Sequence, residues 1–118
     1  MDVCKTFSIE AARSLPNLPK NHPCSKIHGH SFKIKIMVSG LVDKDTGFVM
    51  DFGQLDTLFE PLRKQIDHSY LNDIEGLENP SSENLCKWIW EKLVLSVPRL
   101  SQIEIRETDS TSCIYKGD

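Results

Sequence analysis

The chain has 118 residues, of which 39% are hydrophobic and 26% are charged, and its formal net charge is −3. These values are typical of a single globular domain spanning residues 1–118, and the negative charge argues against nucleic-acid binding through bulk electrostatics. No apolar run is long enough to cross a membrane and the start lacks the layout of a signal peptide, so we expect a cytoplasmic protein without a membrane partner.

The first part of the chain predicts two strands separated by a loop. Apolar residues alternate with polar ones over residues 3–15, which predicts a first strand. Three prolines within residues 16–23 predict a loop, because proline removes backbone donors. The clearest alternation lies at residues 32–38 and predicts a second strand, followed by a turn at residues 43–47.

Two helices are predicted next. Asp51 is a suitable helix cap, and apolar residues recur at helical spacing through residues 52–66. Pro61 lies inside this pattern and predicts a kink or a break into two pieces. Residues 81–84 have the composition of a second helix start, and Pro98 is expected to stop that helix.

The last part of the chain predicts two more strands, at residues 102–106 and 112–116. The order is therefore ββααββ. Tight connections join the two outer pairs, so we predict an α+β fold in which a four-stranded antiparallel sheet is covered on one face by two helices. Four strands leave two open edges, which closure into an oligomeric barrel would remove.

Residues 24–30 combine a thiol with two histidines that are separated by a single glycine. In an extended chain, His28 and His30 point to the same side. Two imidazoles near a thiol are typical of a metal site or an acid–base site, although a catalytic zinc generally needs a third protein ligand. Cys24 alone could be an inert packing residue, but its combination with the histidines favours a functional thiol.

Two acidic positions each allow two interpretations. Asp67 and His68 are either an exposed polar loop or a relay in which the carboxylate orients the imidazole. Glu107 continues the parity of Ile103 and Ile105 towards the apolar face. Either the strand ends before Glu107, or its carboxylate binds a ligand that presents several N–H donors.

Five short segments match a known family. They are Phe7–Ala12, Cys24-x3-His28-Gly29-His30, Asp67-His68-x-Tyr70-Leu71, Glu78-Asn79-Pro80-x-Ser82-Glu83, and Glu107-Thr108 with Cys113-Ile114-Tyr115. With them, the chain resembles the 6-carboxy-5,6,7,8-tetrahydropterin synthases of the 6-pyruvoyltetrahydropterin synthase superfamily over essentially its full length. The three-residue gap between Cys24 and His28 is similar to the queuosine-pathway branch rather than the biopterin branch.

The resemblance implies the tunnelling fold, in which subunits join their sheets into a barrel, typically as a homohexamer with active sites at subunit interfaces. It also implies a lyase that converts 7,8-dihydroneopterin triphosphate to 6-carboxy-5,6,7,8-tetrahydropterin and releases triphosphate and acetaldehyde. The pterin triphosphate is then the small-molecule partner. The alternatives are a related lyase of the pyruvoyltetrahydropterin or sepiapterin-converting type, and a non-catalytic pterin-binding homologue.

The resemblance also assigns roles by position. Cys24 is similar to the general base that moves protons on the substrate side chain, and Asp67 and His68 are similar to a relay that acts from the other side. Glu107 is similar to the residue that binds the pterin. The serines Ser81–Ser82 at the helix start would help it, because the first N–H groups of a helix are unpaired.

Zinc is the point at which this chain departs from the family. The resemblance implies Zn²⁺ bound by His28, His30 and a third histidine, but Arg13 stands at the third position. Arginine offers no lone pair and stays protonated, so a family-like zinc site is not expected. Either metal binding is impaired, or His22 and Cys24 supply a ligand, or the Arg13 charge partly replaces the metal. We favour the first explanation.

Overall fold

The alternating segments of the sequence form one mixed sheet, and the two helical segments pack against it. The computed structural model describes residues 1–118. The strands are β1 Asp2–Arg13, β2 His28–Ser39, β3 Ser69–Tyr70, β4 Leu100–Thr108 and β5 Thr111–Tyr115, and the helices are α1 Phe52–Ile66 and α2 Ser82–Leu93. The strand order in the sheet is β3-β1-β2-β4-β5. Neither helix has the length and apolar character needed to span a membrane.

The predicted α+β fold and its four antiparallel strands are confirmed, and a fifth strand adds to them. This fifth strand, β3, has two residues and pairs in parallel with Ala11 and Ala12 of β1. A two-residue strand shows no alternation, so the sequence pattern could not reveal it. Its position matters because it fixes residues 67–68 beside the end of β1.

The core lies between the helices and one face of the sheet. Four side chains of β2 are fully buried there: Phe32, Ile34, Ile36 and Val38. The stripe that faces them from α1 consists of Leu55, Phe59, Leu62 and Ile66. Burying each of these large apolar side chains contributes about 1.5–3 kcal/mol. This packing explains why the strands and helices form where the apolar periodicity predicts them.

The helix α1 runs through Pro61 as one element, so the predicted alternative of a break is wrong. Core residues on both sides of Pro61, Phe59 and Leu62, hold the two parts against the sheet. The helix begins at the predicted cap, where the Asp51 carboxylate accepts a hydrogen bond from Gly53 N at 2.9 Å. Tertiary packing therefore outweighs the local cost of the proline.

Candidate functional site

Three side chains of the predicted metal site lie together at the end of the first hairpin. In the register of β1 and β2, Arg13 is directly opposite His28 and Ala11 is opposite His30. The two imidazole rings meet edge to face, with their centroids 4.9 Å apart. The structure thus brings Arg13, His28 and His30 together, as their positions in the hairpin dictate.

The hydrogen bond of His28 fixes which of its ring nitrogens is available. Nδ1 lies 2.7 Å from the carbonyl oxygen of Lys26. A carbonyl oxygen only accepts, so Nδ1 carries a hydrogen, and in the neutral ring Nε2 then presents a lone pair. This Nε2 atom is buried and has no hydrogen-bond partner in the chain. His28 is therefore oriented in the way that a metal ligand or a hydrogen-bond acceptor requires.

Arg13 is a buried cation with several fixed contacts, since only 3% of the residue is exposed. Its Nη1 group donates to the carbonyl oxygen of Pro80 at 3.1 Å and to Ser82 Oγ at 3.3 Å. Its Nη2 group forms an ion pair with Glu107. The guanidinium also lies over the ring of Phe32, 5.2 Å from the centroid. Arg13 thereby connects β1 to the start of α2 and to β4.

Glu107 lies inside β4, which continues to Thr108, so the alternative that the strand ends before Glu107 is wrong. Besides pairing with Arg13, the carboxylate lies 3.6 Å from His30 Nε2. Glu107 lies on the same face of the sheet as Ile103 and Ile105, as predicted, and its carboxylate is therefore close to Arg13 and His30. The side chain is 24% exposed, which leaves part of the carboxylate accessible to a ligand.

The surroundings of His30 favour its neutral form. Burial lowers the pKa of His30, and the positive charge of Arg13 acts in the same direction. The carboxylate of Glu107 opposes these effects without reversing them. A neutral imidazole keeps a lone pair that can accept a hydrogen bond or bind a metal.

The residues at this position do not fit a zinc ion. Two imidazoles are present, but the third position is filled by a guanidinium, which only donates hydrogen bonds and carries a positive charge. No group of three histidine, cysteine or acidic side chains is arranged to hold a metal ion. His22, proposed as a substitute ligand, uses Nδ1 to accept a hydrogen bond from Cys24 N at 3.1 Å. The predicted His28–His30 pair is therefore only part of a zinc site.

Cys24 lies in a short 3-10 turn, Pro23–Ser25, and is half-buried. Its carbonyl oxygen accepts a hydrogen bond from Leu15 N at 2.9 Å, which ties the turn to the end of β1. The thiol itself makes no hydrogen bond within the chain. Cys24 is consequently a free thiol that the fold positions through its backbone.

Asp67 and His68 lie together beside β1, on the side of that strand away from β2. Asp67 Oδ1 accepts a hydrogen bond from Glu10 N at 2.9 Å, and Oδ2 accepts one from Arg63 Nη1 at 3.2 Å. His68 Nε2 lies 3.8 Å from Asp67 Oδ1, and 79% of the His68 side chain is exposed. No hydrogen bond or ion pair connects this pair to Cys24 within one chain.

The backbone of His68 is in the left-handed region, with φ at 55°. A histidine in this region is uncommon, and such strain is concentrated at functional positions. The hydrogen bond from His68 N to the Glu10 carbonyl oxygen, at 2.6 Å, holds the residue there. The fold thus presents the imidazole outward from a fixed backbone.

A small cavity of about 100 Å³ lies beside Glu107. Ser82 lines it, whereas Ser81 uses its hydroxyl to cap α2 by accepting a hydrogen bond from Asn84 N at 3.1 Å. Cys113 and Thr111 also line the cavity, although neither was predicted from the sequence as a site residue. Cys113 belongs to one of the segments that match the family, so the sequence did contain an indication that Cys113 lies at the site.

This fold and these residues define the class of protein to which the chain belongs. The profile of the family described as 6-pyruvoyl tetrahydropterin synthase matches residues 2–118. The chain therefore belongs to the 6-pyruvoyl tetrahydropterin synthase family.

Individual relatives resemble the chain over most of their length. It is 40% identical to the 6-carboxy-5,6,7,8-tetrahydropterin synthase of Synechocystis sp. over 119 residues, covering 96% of this chain and 91% of the relative. It is 33% identical to the 6-pyruvoyl tetrahydrobiopterin synthase of Homo sapiens, covering 77% of this chain and 67% of the relative. The solved structure of Caenorhabditis elegans 6-pyruvoyl tetrahydropterin synthase superposes with a TM-score of 0.91 at 28% identity, covering 100% of this chain and 96% of that one.

Proposed function

We propose that the chain is a carbon–carbon lyase that converts 7,8-dihydroneopterin triphosphate to 6-carboxy-5,6,7,8-tetrahydropterin, with release of acetaldehyde and triphosphate. This reaction would serve the biosynthesis of queuosine and related 7-deazapurines. The 40% identity to the Synechocystis synthase supports the choice of reaction. The structural observation that carries the proposal is the Glu107 carboxylate, which projects from β4 beside a cavity.

Glu107 would recognise the pterin through its accessible oxygen atoms. A carboxylate accepts two parallel N–H groups well, and the edge of an aminopyrimidinone ring presents such a pair. Ser82 lines the same cavity and offers a hydroxyl to the ring. A cavity of about 100 Å³ is smaller than the roughly 300–1,000 Å³ of a typical small-molecule site. The pterin would therefore need further walls, which a neighbouring chain can provide.

We infer that the enzyme works as a homo-oligomer, with a hexamer expected from the resemblance. β3 covers β1 only at Ala11 and Ala12, so most of that edge of the sheet is open, and β5 forms the other edge. Open edges readily pair with another chain. In this arrangement, Cys24 of one chain would act as the general base and the Asp67–His68 relay would come from its neighbour. A cytoplasmic location is part of the same proposal.

We also propose that Arg13 reduces the activity. The residues present do not fit zinc, and Arg13 engages the carboxylate that the pterin requires. Substrate binding would have to share Glu107 with the guanidinium. The turnover of this chain should consequently be lower than that of a chain with histidine at this position.

Product analysis tests the reaction. Purified full-length chain is incubated with 7,8-dihydroneopterin triphosphate, and acetaldehyde is quantified with an NADH-linked alcohol dehydrogenase alongside chromatography of the pterin. We expect acetaldehyde and 6-carboxytetrahydropterin in equal amounts. Glu107→Gln should abolish both, whereas Glu91→Gln, an exposed change on α2, should leave both unchanged.

The alternatives give different outcomes in the same experiment. A pyruvoyltetrahydropterin product without acetaldehyde would support the related lyase, for which the 33% identity to the human enzyme speaks. Pterin binding that depends on Glu107, with no product of either kind, would support a non-catalytic homologue.

A further inference from the structure

Two of the four free thiols of the chain lie in contact with each other. They are Cys86 of α2 and Cys113 of β5, whose sulfur atoms are 3.3 Å apart. Cys113 is opposite the buried Ile105 in the register of β4 and β5, so its side chain points to the helix-covered face. A disulfide bond needs a sulfur–sulfur distance of about 2.05 Å, so the two atoms would have to approach by only about 1.3 Å.

The two thiols differ in their access to solvent. Cys86 belongs to the hydrophobic core and is only 1% exposed. Cys113 is half-buried and lines the cavity beside Glu107. A small oxidant can therefore reach Cys113 from the cavity, whereas Cys86 is covered by its neighbours in the core.

The contact between the thiols also gives them different chemical character. A hydrogen bond donated by Cys86 lowers the pKa of Cys113, although burial and the carboxylates of Glu83 and Glu107 oppose this effect. The same contact, together with burial, raises the pKa of Cys86. Because the thiolate is the nucleophilic form, Cys113 is the thiol that attacks first and Cys86 is the one that keeps its hydrogen.

We propose that Cys113 and Cys86 form a peroxide-sensitive pair that closes to a disulfide bond. The Cys113 thiolate attacks one oxygen of hydrogen peroxide and becomes a sulfenic acid, while the O–O bond breaks and hydroxide leaves. The Cys86 sulfur then attacks the sulfenic sulfur, the S–O bond breaks, and the Cys86 hydrogen leaves with that oxygen as water. The proton released from Cys113 converts the hydroxide to a second water. Each sulfur loses one electron, and the peroxide gains two.

The disulfide would connect α2 to the last strand of the sheet. Within one chain, β5 pairs with β4 alone, so few contacts hold it. A bond between Cys86 and Cys113 would attach β5 to the core through a side chain. In a reducing compartment such a bond forms transiently, because cellular thiols reverse it by exchange, and this is the usual behaviour of a redox-sensing pair. The inference goes beyond the function proposed above and does not depend on it.

Mass spectrometry of the peroxide-treated protein tests the pair. The reduced full-length chain is treated with hydrogen peroxide, catalase removes the excess, and the remaining thiols are blocked with iodoacetamide in urea. We expect the loss of two hydrogen atoms per chain, two blocked thiols instead of four, and a peptide that joins Cys86 to Cys113. Dithiothreitol should reverse these changes. Oxidation of Cys113 to sulfinic acid without a cross-link, or a bond between Cys4 and Cys24 instead, would overturn the proposal.

Serine variants separate the roles of the two thiols. Cys86→Ser leaves the sulfenic acid of Cys113 without a resolving thiol, so dimedone should trap it. Cys113→Ser should leave Cys86 unmodified at the same peroxide concentration, because Cys86 is buried. Cys4→Ser, which removes an exposed thiol outside the pair, should form the disulfide as the wild type does. Dimedone labelling of Cys86 in Cys113→Ser would contradict the order of attack.

Urea denaturation gives a readout that does not depend on chemical labelling. The oxidised wild type should unfold at a higher urea concentration than the reduced wild type, since the cross-link restricts the unfolded chain. Cys86→Ser, treated with peroxide in the same way, should show no such shift. An equal or lower midpoint in the oxidised wild type would show that the bond strains the native structure, and would overturn the claim that the fold places these thiols to close.

Discussion

Arg13 and Glu107 form an ion pair across an intervening strand. Arg13 belongs to β1 and Glu107 to β4, and β2 lies between them in the sheet. The two residues are 94 positions apart in the sequence. Their pairing depends on the long arginine side chain and on the parity that places both residues on the helix-covered face.

Removing the carboxylate from this pair should destabilise the fold. Glu107→Ala leaves the Arg13 guanidinium buried with less compensation, so we expect a loss of about 3 kcal/mol in the free energy of unfolding. Urea denaturation followed by circular dichroism measures this loss. The double variant Arg13→Met with Glu107→Ala should recover most of the stability, because it removes the buried charge as well. A change below about 0.5 kcal/mol in Glu107→Ala, the range of an ordinary surface substitution, would refute the prediction.

Replacing the guanidinium with an imidazole should create a zinc site. Arg13→His completes a set of three histidines with His28 and His30. It also removes the repulsion between the guanidinium and a metal ion, which is about 4 kcal/mol for two unit charges 4 Å apart at an effective dielectric constant of 20. We expect one zinc per chain in this variant, measured by metal analysis of protein purified without chelator, together with higher turnover. The wild type, prepared in parallel, should hold little zinc. An equally tight zinc in the wild type would contradict the impaired-site proposal.

The cysteines Cys86 of α2 and Cys113 of β5 should differ in reactivity. Their sulfur atoms are 3.3 Å apart. A hydrogen bond from Cys86 lowers the pKa of Cys113, whereas the same contact and burial raise the pKa of Cys86. Because the thiolate is the reactive form, Cys113 should be alkylated at lower pH than an ordinary thiol, and Cys86 should resist alkylation. Iodoacetamide labelling over a range of pH, read by peptide mass spectrometry, measures both.

The variant Cys86→Ala provides the control for this reactivity. Without the hydrogen bond, the labelling of Cys113 should move to higher pH. An unchanged pH profile in Cys86→Ala would show that the neighbouring thiol does not set the pKa of Cys113.

Replacing His68 with glycine should stabilise the folded protein but lower its catalytic activity. Its φ of 55° costs an L-residue about 1 kcal/mol that glycine avoids, so His68→Gly should be at least as stable as the wild type. If His68 belongs to the proton relay, turnover should fall about 100-fold or more. His68→Ala should lose the same activity and be less stable than His68→Gly. Undiminished turnover in both variants would remove His68 from the proposed machinery.

The sequence predicted those parts of the fold that depend on local periodicity. The alternation through β2 and the apolar stripe of α1 are strong because each buries one face against the core. The strand Ser69–Tyr70 is too short for any pattern, and it forms only because the end of α1 brings it beside β1. The continuity of α1 through Pro61 depends on core packing that no local rule contains.

The candidate site was predictable residue by residue but not as an arrangement. The position of Glu107 on the apolar face and the shared side of His28 and His30 follow from strand parity. The ion pair with Arg13 does not follow, because it joins β1 to β4 across the sheet. The chemical mismatch of Arg13 with zinc was visible in the sequence, whereas its contacts with Pro80 and Ser82 required the folded chain.

The buried guanidinium of Arg13 also has a consequence for how the protein depends on its environment. A metal ion must be acquired after synthesis and can be lost to chelators or to competing proteins, whereas a charge carried by a side chain is present in every copy from translation onward. Its occupancy does not vary with the zinc supply of the cell. Any reaction at this end of β1 therefore takes place beside a positive charge that is present whatever the supply of metal ions.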